Sequence, residues 1–201
     1  MNVLAIVGSP RKGKSTDTLV DQAIQGVKSI HPKSVITKIY LADQDIKYCR
    51  DCLTCWKSKT KEPYAKCAIR DDMDQISEEL IKTDSLIIGT PVHMGYASAY
   101  IMTFLERICW TFGKPAKSYV LVKGCPMPRS EKKRKAVIFV VSGMIPSKYK
   151  RFCNEATPQI RGVIKDSLNA DTVGKLYAGD VWHVGVETYF NQAFKLGTRL
   201  G

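Results

Sequence analysis

Two clusters in this sequence carry side chains of a type and spacing that can do chemistry. The first is Gly8-Ser9-Pro10-Arg11-Lys12-Gly13-Lys14-Ser15-Thr16, which follows an apolar run and leads into a helical pattern. Hydroxyls at Ser9, Ser15 and Thr16, the charge of Arg11 and the free amides of a helix start together suit a phosphate group. The dinucleotide pattern G-x-G-x-x-G is not met, whereas Gly8 to Ser15 does fit the bare P-loop expression. A nucleotide hydrolase also needs a Mg²⁺-binding aspartate at the end of a later strand. The later apolar runs end in Gly89-Thr90-Pro91 and Ser142-Gly143, without that acid. A simple turn with a helix cap is the plainer alternative.

The second cluster is Cys49-x2-Cys52-x2-Cys55, followed by Cys67. Thiolates two residues apart can converge from a tight loop onto one metal centre, and three in this run resemble half of a bacterial ferredoxin ligand set. Structural zinc more often uses two separated C-x2-C knuckles. The spacing therefore favours a [4Fe–4S] cluster over zinc if metal is bound, and free or redox-active thiols are the other reading. Of the seven cysteines, Cys109, Cys125 and Cys153 lie apart. A cysteine cluster in a chain without a secretion signal points to metal or redox chemistry before structural disulfides.

These clusters need elements to position them. Short apolar runs alternate with amphipathic stretches, which predicts βα units and a parallel sheet. Strands are expected at Asn2–Val7, Ser34–Tyr40, Ser85–Gly89 and Ala136–Val141, with a weaker one between Val173 and Val184. Helical spacing is seen from about Thr16 to Ser29, from Asp72, from Ser98 to Phe112, from Cys153 to Leu168 and at the C-terminus. Asp72 with Gln75 three residues on reads as a capping box. Residues 46–70 show no periodicity, and 113–134 read as a long polar loop. The expectation is one α/β domain over 1–201 with a cysteine-rich loop.

The charge of 31 minus 19, or +12, favours anionic partners. No nucleic-acid module is visible, and Lys132-Lys133-Arg134-Lys135 reads as a solvated loop. No apolar run reaches the 18 residues of a membrane-spanning helix. The N-terminus lacks the basic start of a secretory signal, so a cytoplasmic location is the default expectation.

The phosphate-type loop, the Cys49–Cys67 run, Asp71-Asp72-Met73, Gly89-Thr90-Pro91-Val92-His93 and Phe104-Leu105-Glu106-Arg107 occur in one order over residues 1 to about 145. This set resembles the NADPH-dependent FMN reductase and iron–sulfur flavoprotein families. The resemblance implies a flavodoxin-like, doubly wound, five-stranded parallel sheet with helices on both faces, in a flavin-dependent oxidoreductase. Ser9, Arg11, Ser15 and Thr16 would then hold the FMN phosphate. Pro91, His93, Met94 and Gly95 would line the ribityl chain and the isoalloxazine ring, with Ser142 and Gly143 approaching from the fourth strand. Cys49, Cys52, Cys55 and Cys67 would hold a [4Fe–4S] cluster exchanging electrons with FMN. NAD(P)H or an acidic ferredoxin-like carrier would be the electron partner, and the protein would be a homodimer or homotetramer. A cluster-free NAD(P)H-dependent FMN or quinone reductase is the first alternative, and a non-enzymatic carrier the second.

Three positions depart from the family pattern. Ser15 stands where Asn is common, and His93 where an aromatic residue is common. The gap from Cys55 to Cys67 is also lengthened by residues 57–66. A lone strand-end histidine such as His93 is more often a hydrogen-bonding structural residue than an acid or base, and His31 and His183 receive no role. Trp56, Tyr96 and Trp110 are candidate subunit contacts, with core packing the alternative for Trp110.

Overall fold

The computed structural model describes residues 1–116 and 126–201. Five strands form one parallel sheet in the order β2-β1-β3-β7-β8, from β1 (Asn2–Val7), β2 (Val35–Tyr40), β3 (Ser85–His93), β7 (Arg134–Val141) and β8 (Ala170–Ala178). Between β1 and β2 runs α1 (Ser15–Ile30). Between β2 and β3 lie the short α2 (Thr54–Lys57) and α3 (Met73–Lys82). After β3 come the two-residue β4 (Tyr96–Ala97), α4 (Ala99–Phe112), and the pair β5 (Gly113–Pro115) and β6 (Pro126–Pro128). α5 (Ala156–Leu168) joins β7 to β8, and α6 (Val181–Val184) and α7 (Phe190–Gly197) close the chain.

Apolar residues on both sides of each strand explain this layering, because a parallel sheet must be covered on both faces. In β1, Val3, Ala5 and Val7 point to one core with Leu19, Val20 and Leu196. Leu4 and Ile6 point to the other, with Ile76, Phe104 and Ile160. α1 and α7 therefore cover one face, and α3, α4 and α5 the other. The strand order reverses between β1 and β3, which places the ligand crevice of a doubly wound sheet at their C-terminal ends. Among the described residues no helix is long and apolar enough to cross a membrane.

Several expectations are corrected. β3 continues four residues beyond Gly89, because Thr90 and Pro91 still pair with β7 and His93 pairs back with Tyr96 of β4. Residues 113–134 are not all loop. Gly113–Pro115 and Pro126–Pro128 form an antiparallel pair, while Cys125 lies outside the described residues. The α5 helix begins at Ala156 rather than Cys153, and the last strand begins at Ala170. Asp72 builds no capping box; its Oδ2 accepts from the Asp45 amide at 2.7 Å. The basic run at 132–135 is not wholly solvated. Arg134 is 3% exposed and donates to the carbonyls of Leu168 (2.8 Å) and Leu80 (3.1 Å), which ties two helix ends to the sheet.

The cysteine-rich segment is anchored by a buried ion pair. Arg107 of α4 meets Asp71 through Nη1–Oδ2 at 2.5 Å and Nη2–Oδ1 at 3.0 Å, with both side chains almost wholly covered. The same guanidinium donates to the Lys47 carbonyl at 2.6 Å. Burial opposes the charge of Asp71, but Arg107 and the Lys47 amide outweigh it and hold the carboxyl below its ordinary range. Removing Arg107 strands a buried carboxylate. Arg107→Ala is expected to destabilise the fold by about 3–5 kcal/mol in urea denaturation. A loss under 1 kcal/mol would show that the pair does not anchor this segment.

Candidate functional site

The first cavity, about 650 Å³, opens at the C-terminal edge of the sheet. Ser9, Arg11, Ser15 and Thr16 line it from the β1–α1 loop. Pro91, His93, Met94 and Gly95 line it from the end of β3, and Ser142 and Gly143 from the end of β7. All ten residues singled out in the sequence for a flavin thus face one space. Lys14, Met144, Cys153 and Trp182 line it too and were missed.

The anion end is built by the β1–α1 loop. No side chain caps α1, so the amides of its first turn stay available to a ligand. Ser9 Oγ accepts from the Arg11 amide at 3.2 Å and sets the bend. Gly13, at φ +68°, donates its amide to Asp17 Oδ2 at 2.7 Å. Asp17 is buried and also meets Lys38 Nζ at 2.5 Å and the Tyr40 hydroxyl at 3.1 Å. Burial alone would raise its pKa, but Lys38, the Gly13 amide and Tyr40 lower it on balance. Asp17 thus belongs to the loop's frame and does not line the cavity. Among the described residues no aspartate or glutamate lines the cavity, and the cations Arg11 and Lys14 do.

Ser98 joins this loop to the next wall. Its Oγ donates to the Gly8 carbonyl at 2.7 Å, and its amide donates to Thr90 Oγ1 at 3.1 Å. A side chain at Gly8 would meet Ile101 of α4 at 2.3 Å, so the close approach requires glycine there. Beyond Thr90 the chain turns through Met94 (φ +49°) and Gly95 (φ +90°), the two positive φ angles of a type I′ hairpin. Methionine in that conformation is strained, and Met94 is 98% exposed at the cavity rim. Gly95 O accepts from the amides of Glu155 (2.8 Å) and Ala156 (3.1 Å), which brings Cys153 to the cavity. His93 is exposed and its side chain makes no hydrogen bond among the described residues, so the structural reading of this histidine finds no partner. At the third wall, the Ser142 and Gly143 carbonyls accept from the amides of Val181 (3.1 Å) and Trp182 (3.0 Å). That contact carries the Trp182 indole to the cavity edge.

The cysteines occupy a separate region beside α4. Arg129 Nη2 donates to the Cys55 carbonyl at 2.8 Å, the Ala65 amide to the Thr111 carbonyl at 2.6 Å, and Trp56 meets Trp110 edge to face with centroids 6.5 Å apart. Trp110 therefore packs within the chain. Cys49 and Cys52 are exposed, while Cys55 and Cys67 are half-buried. Cys52 Sγ lies 3.4 Å from Thr54 Oγ1, and donation from the Thr54 hydroxyl and amide to the thiolate lowers its pKa, whereas burial and neighbouring Cys67 raise that of Cys55. Cys109, not expected in this group, is half-buried on α4. Burial, then the neighbouring Cys55, push its thiol up to about 11. Among the described residues no three Cys, His, Asp or Glu side chains are gathered so as to hold a metal ion. As arranged, the four sulfurs do not form a closed ligand set.

The sheet order and its two helical layers define a flavodoxin-like α/β fold. The model of the family described as NADPH-dependent FMN reductase matches residues 1–173, and the chain belongs to that family. An iron–sulfur flavoprotein of Methanocaldococcus jannaschii is 34% identical over 108 residues, covering 53% of this chain and 51% of that protein. One from Archaeoglobus fulgidus is 28% identical over 108 residues, 54% of this chain and 46% of the relative. The matched stretch thus spans about half the length of these relatives. Among solved structures, the NAD(P)H:quinone oxidoreductase of Methanothermobacter marburgensis superposes with TM-score 0.69 at 13% identity, covering 100% of this chain and 96% of that one. An FMN-dependent NADH-azoreductase of Bacillus anthracis solved with FMN gives 0.68 at 11% identity over 99% and 98%. At these identities the superpositions establish the fold.

Asp17 gives this site a pH signature. Its folded pKa is lowered, so its contribution to stability is complete above the ordinary carboxylate value of about 3.9 and is lost as the pH falls toward and through the lower folded value. Asp17→Asn should cost about 1–3 kcal/mol at neutral pH and flatten the acid limb of stability against pH. An unchanged acid limb would mean that Asp17 does not carry this linkage.

Proposed function

We propose that this chain is an FMN-dependent oxidoreductase, with the FMN phosphate on Ser9, Arg11, Ser15 and Thr16 and the ring between Pro91–Gly95 and Ser142–Gly143. The observation that carries this reading is one cavity, free of acidic side chains among the described residues, with cations and a helix start at one end and an apolar rim at the other. Its volume is in the range of small-molecule and cofactor sites.

When bound, FMN supplies hydride or single-electron transfer, and the protein supplies binding, orientation and electrostatics. Arg11 and the α1 amides neutralise the phosphate. The Ser98–Gly8 contact keeps that end at a set distance from the hairpin wall. Met94, Met144 and Trp182 present apolar surface at the rim, where a nicotinamide or quinone ring can enter and displace water. The chain's net charge of +12 attracts phosphorylated donors or an acidic carrier protein.

FMN titrated into the protein should bind one equivalent with a shifted visible spectrum, and Arg11→Ala should weaken it by about tenfold or more, the worth of a charge-assisted hydrogen bond. Steady reduction of a quinone by NADPH should accompany binding. Absence of saturable FMN binding overturns the reading.

A second reading, that of an iron–sulfur flavoprotein, is favoured by the Cys49-x2-Cys52-x2-Cys55 spacing and by relatives of that name. It requires residues 49–67 to rearrange, so no step is drawn through a cluster. Oxygen-free purification with iron and acid-labile sulfide assays decides it; about four of each per chain supports a cluster, and flavin without iron overturns it. A homodimer or homotetramer fits the exposed apolar side chains of Met94, Tyr96, Phe152 and Trp182 around the cavity mouth. Light scattering should show an oligomer that Phe152→Asp dissociates, and a monomeric wild type would refute it.

A further inference from the structure

A second groove, about 530 Å³, lies on the free edge of the sheet, along β8. Its walls come from three elements. Arg161 reaches it from α5 on one face, Gln192, Lys195 and Arg199 from α7 and the turn after it on the other, and Thr172 to Lys175 form the floor. Four cations, Arg161, Lys175, Lys195 and Arg199, are exposed around it, and among the described residues no carboxylate lines it. None of the four is in an ion pair among the described residues.

The floor is irregular in a way that suits a ligand. The β7–β8 register shifts between Ala136 and Val137, whose partners are Thr172 and Gly174, so Val173 is bulged. Bulges of this kind re-aim side chains and disrupt the ladder. The Thr172 hydroxyl is buried and has no hydrogen-bond partner among the described residues. Arg199 reaches only the Val173 carbonyl, at 3.5 Å, leaving most of its donors unused.

Two ordinary causes account for part of this charge. A helix C-terminus attracts cations, which covers Lys195 and Arg199, and one lysine suffices to protect an edge strand, which covers Lys175. Neither brings Arg161 from the opposite face to the same groove. Like charges crowded without counter-ions repel one another, and a bound polyanion relieves that repulsion. We infer that this groove binds a small molecule bearing a diphosphate, with the four cations as its donors. Of its lining, only Arg161, Thr172 and Val173 fall within the stretch matched by the family model.

The test is calorimetric titration of FMN-saturated protein with inorganic pyrophosphate and, in parallel, ADP. One saturable site is expected, weakened about tenfold or more in K195Q/R199Q and unchanged in K59Q/K61Q, a pair of exposed lysines elsewhere with the same charge change. Equal affinity for the two probes assigns the site to the diphosphate alone, and tighter ADP binding to a nucleoside diphosphate. An isotherm retained in Arg11→Ala separates this site from the first cavity, whether or not FMN binds there. No saturable binding in the wild type, or an equal loss in both lysine-containing pairs, overturns the inference.

Discussion

The crevice depends on one buried hydroxyl. Ser98 Oγ donates to the Gly8 carbonyl just past β1, and its amide donates to Thr90 within β3, while the same oxygen accepts from the third residue of α4. The end of the first strand is therefore tied to a segment some ninety residues later at one side chain. Because Gly8 has no side chain, α4 can sit against that junction. The phosphate-type loop and the hairpin wall consequently face each other across a space whose width the fold determines.

Much of this was legible in the sequence. Fully apolar runs followed by Gly-Ser, Gly-Thr-Pro and Ser-Gly are strand ends, and a parallel sheet collects its strand ends on one edge. That is why Ser9, Pro91 and Ser142, spread over more than half of the chain, fall at one edge of the sheet, and the resemblance to the FMN reductase families then grouped them with Arg11 and His93 around one ligand. What stayed hidden depends on long-range burial. Nothing in Lys132-Lys133-Arg134-Lys135 distinguishes the one cation that turns inward from the three that do not. Trp182 and Cys153 reach the cavity only because Gly143 and Gly95 present carbonyls to their segments. The arginine at 107 offered the best missed signal, a cation within the apolar stripe of α4.

The cysteine segment shows the same division between pattern and partner. The spacing of Cys49, Cys52 and Cys55 is visible at once, whereas its seating is not. Arg107 and Arg129 reach backbone carbonyls on either side of the thiols, and Tyr64 stacks on Phe112 at 5.6 Å. The segment is therefore docked along α4 by cations and aromatic rings.

The Gly13–Asp17 contact has a consequence for how an anion arrives. A phosphate loop that must be ordered by its ligand spends part of the binding energy on that ordering. Here a carboxylate within the first turn of α1 already occupies the one amide that a disordered loop would most readily leave loose. The entropy is lost during folding, before any ligand is met. A loop of this kind resembles a cast mould more than a clasp: its shape is set before any ligand arrives.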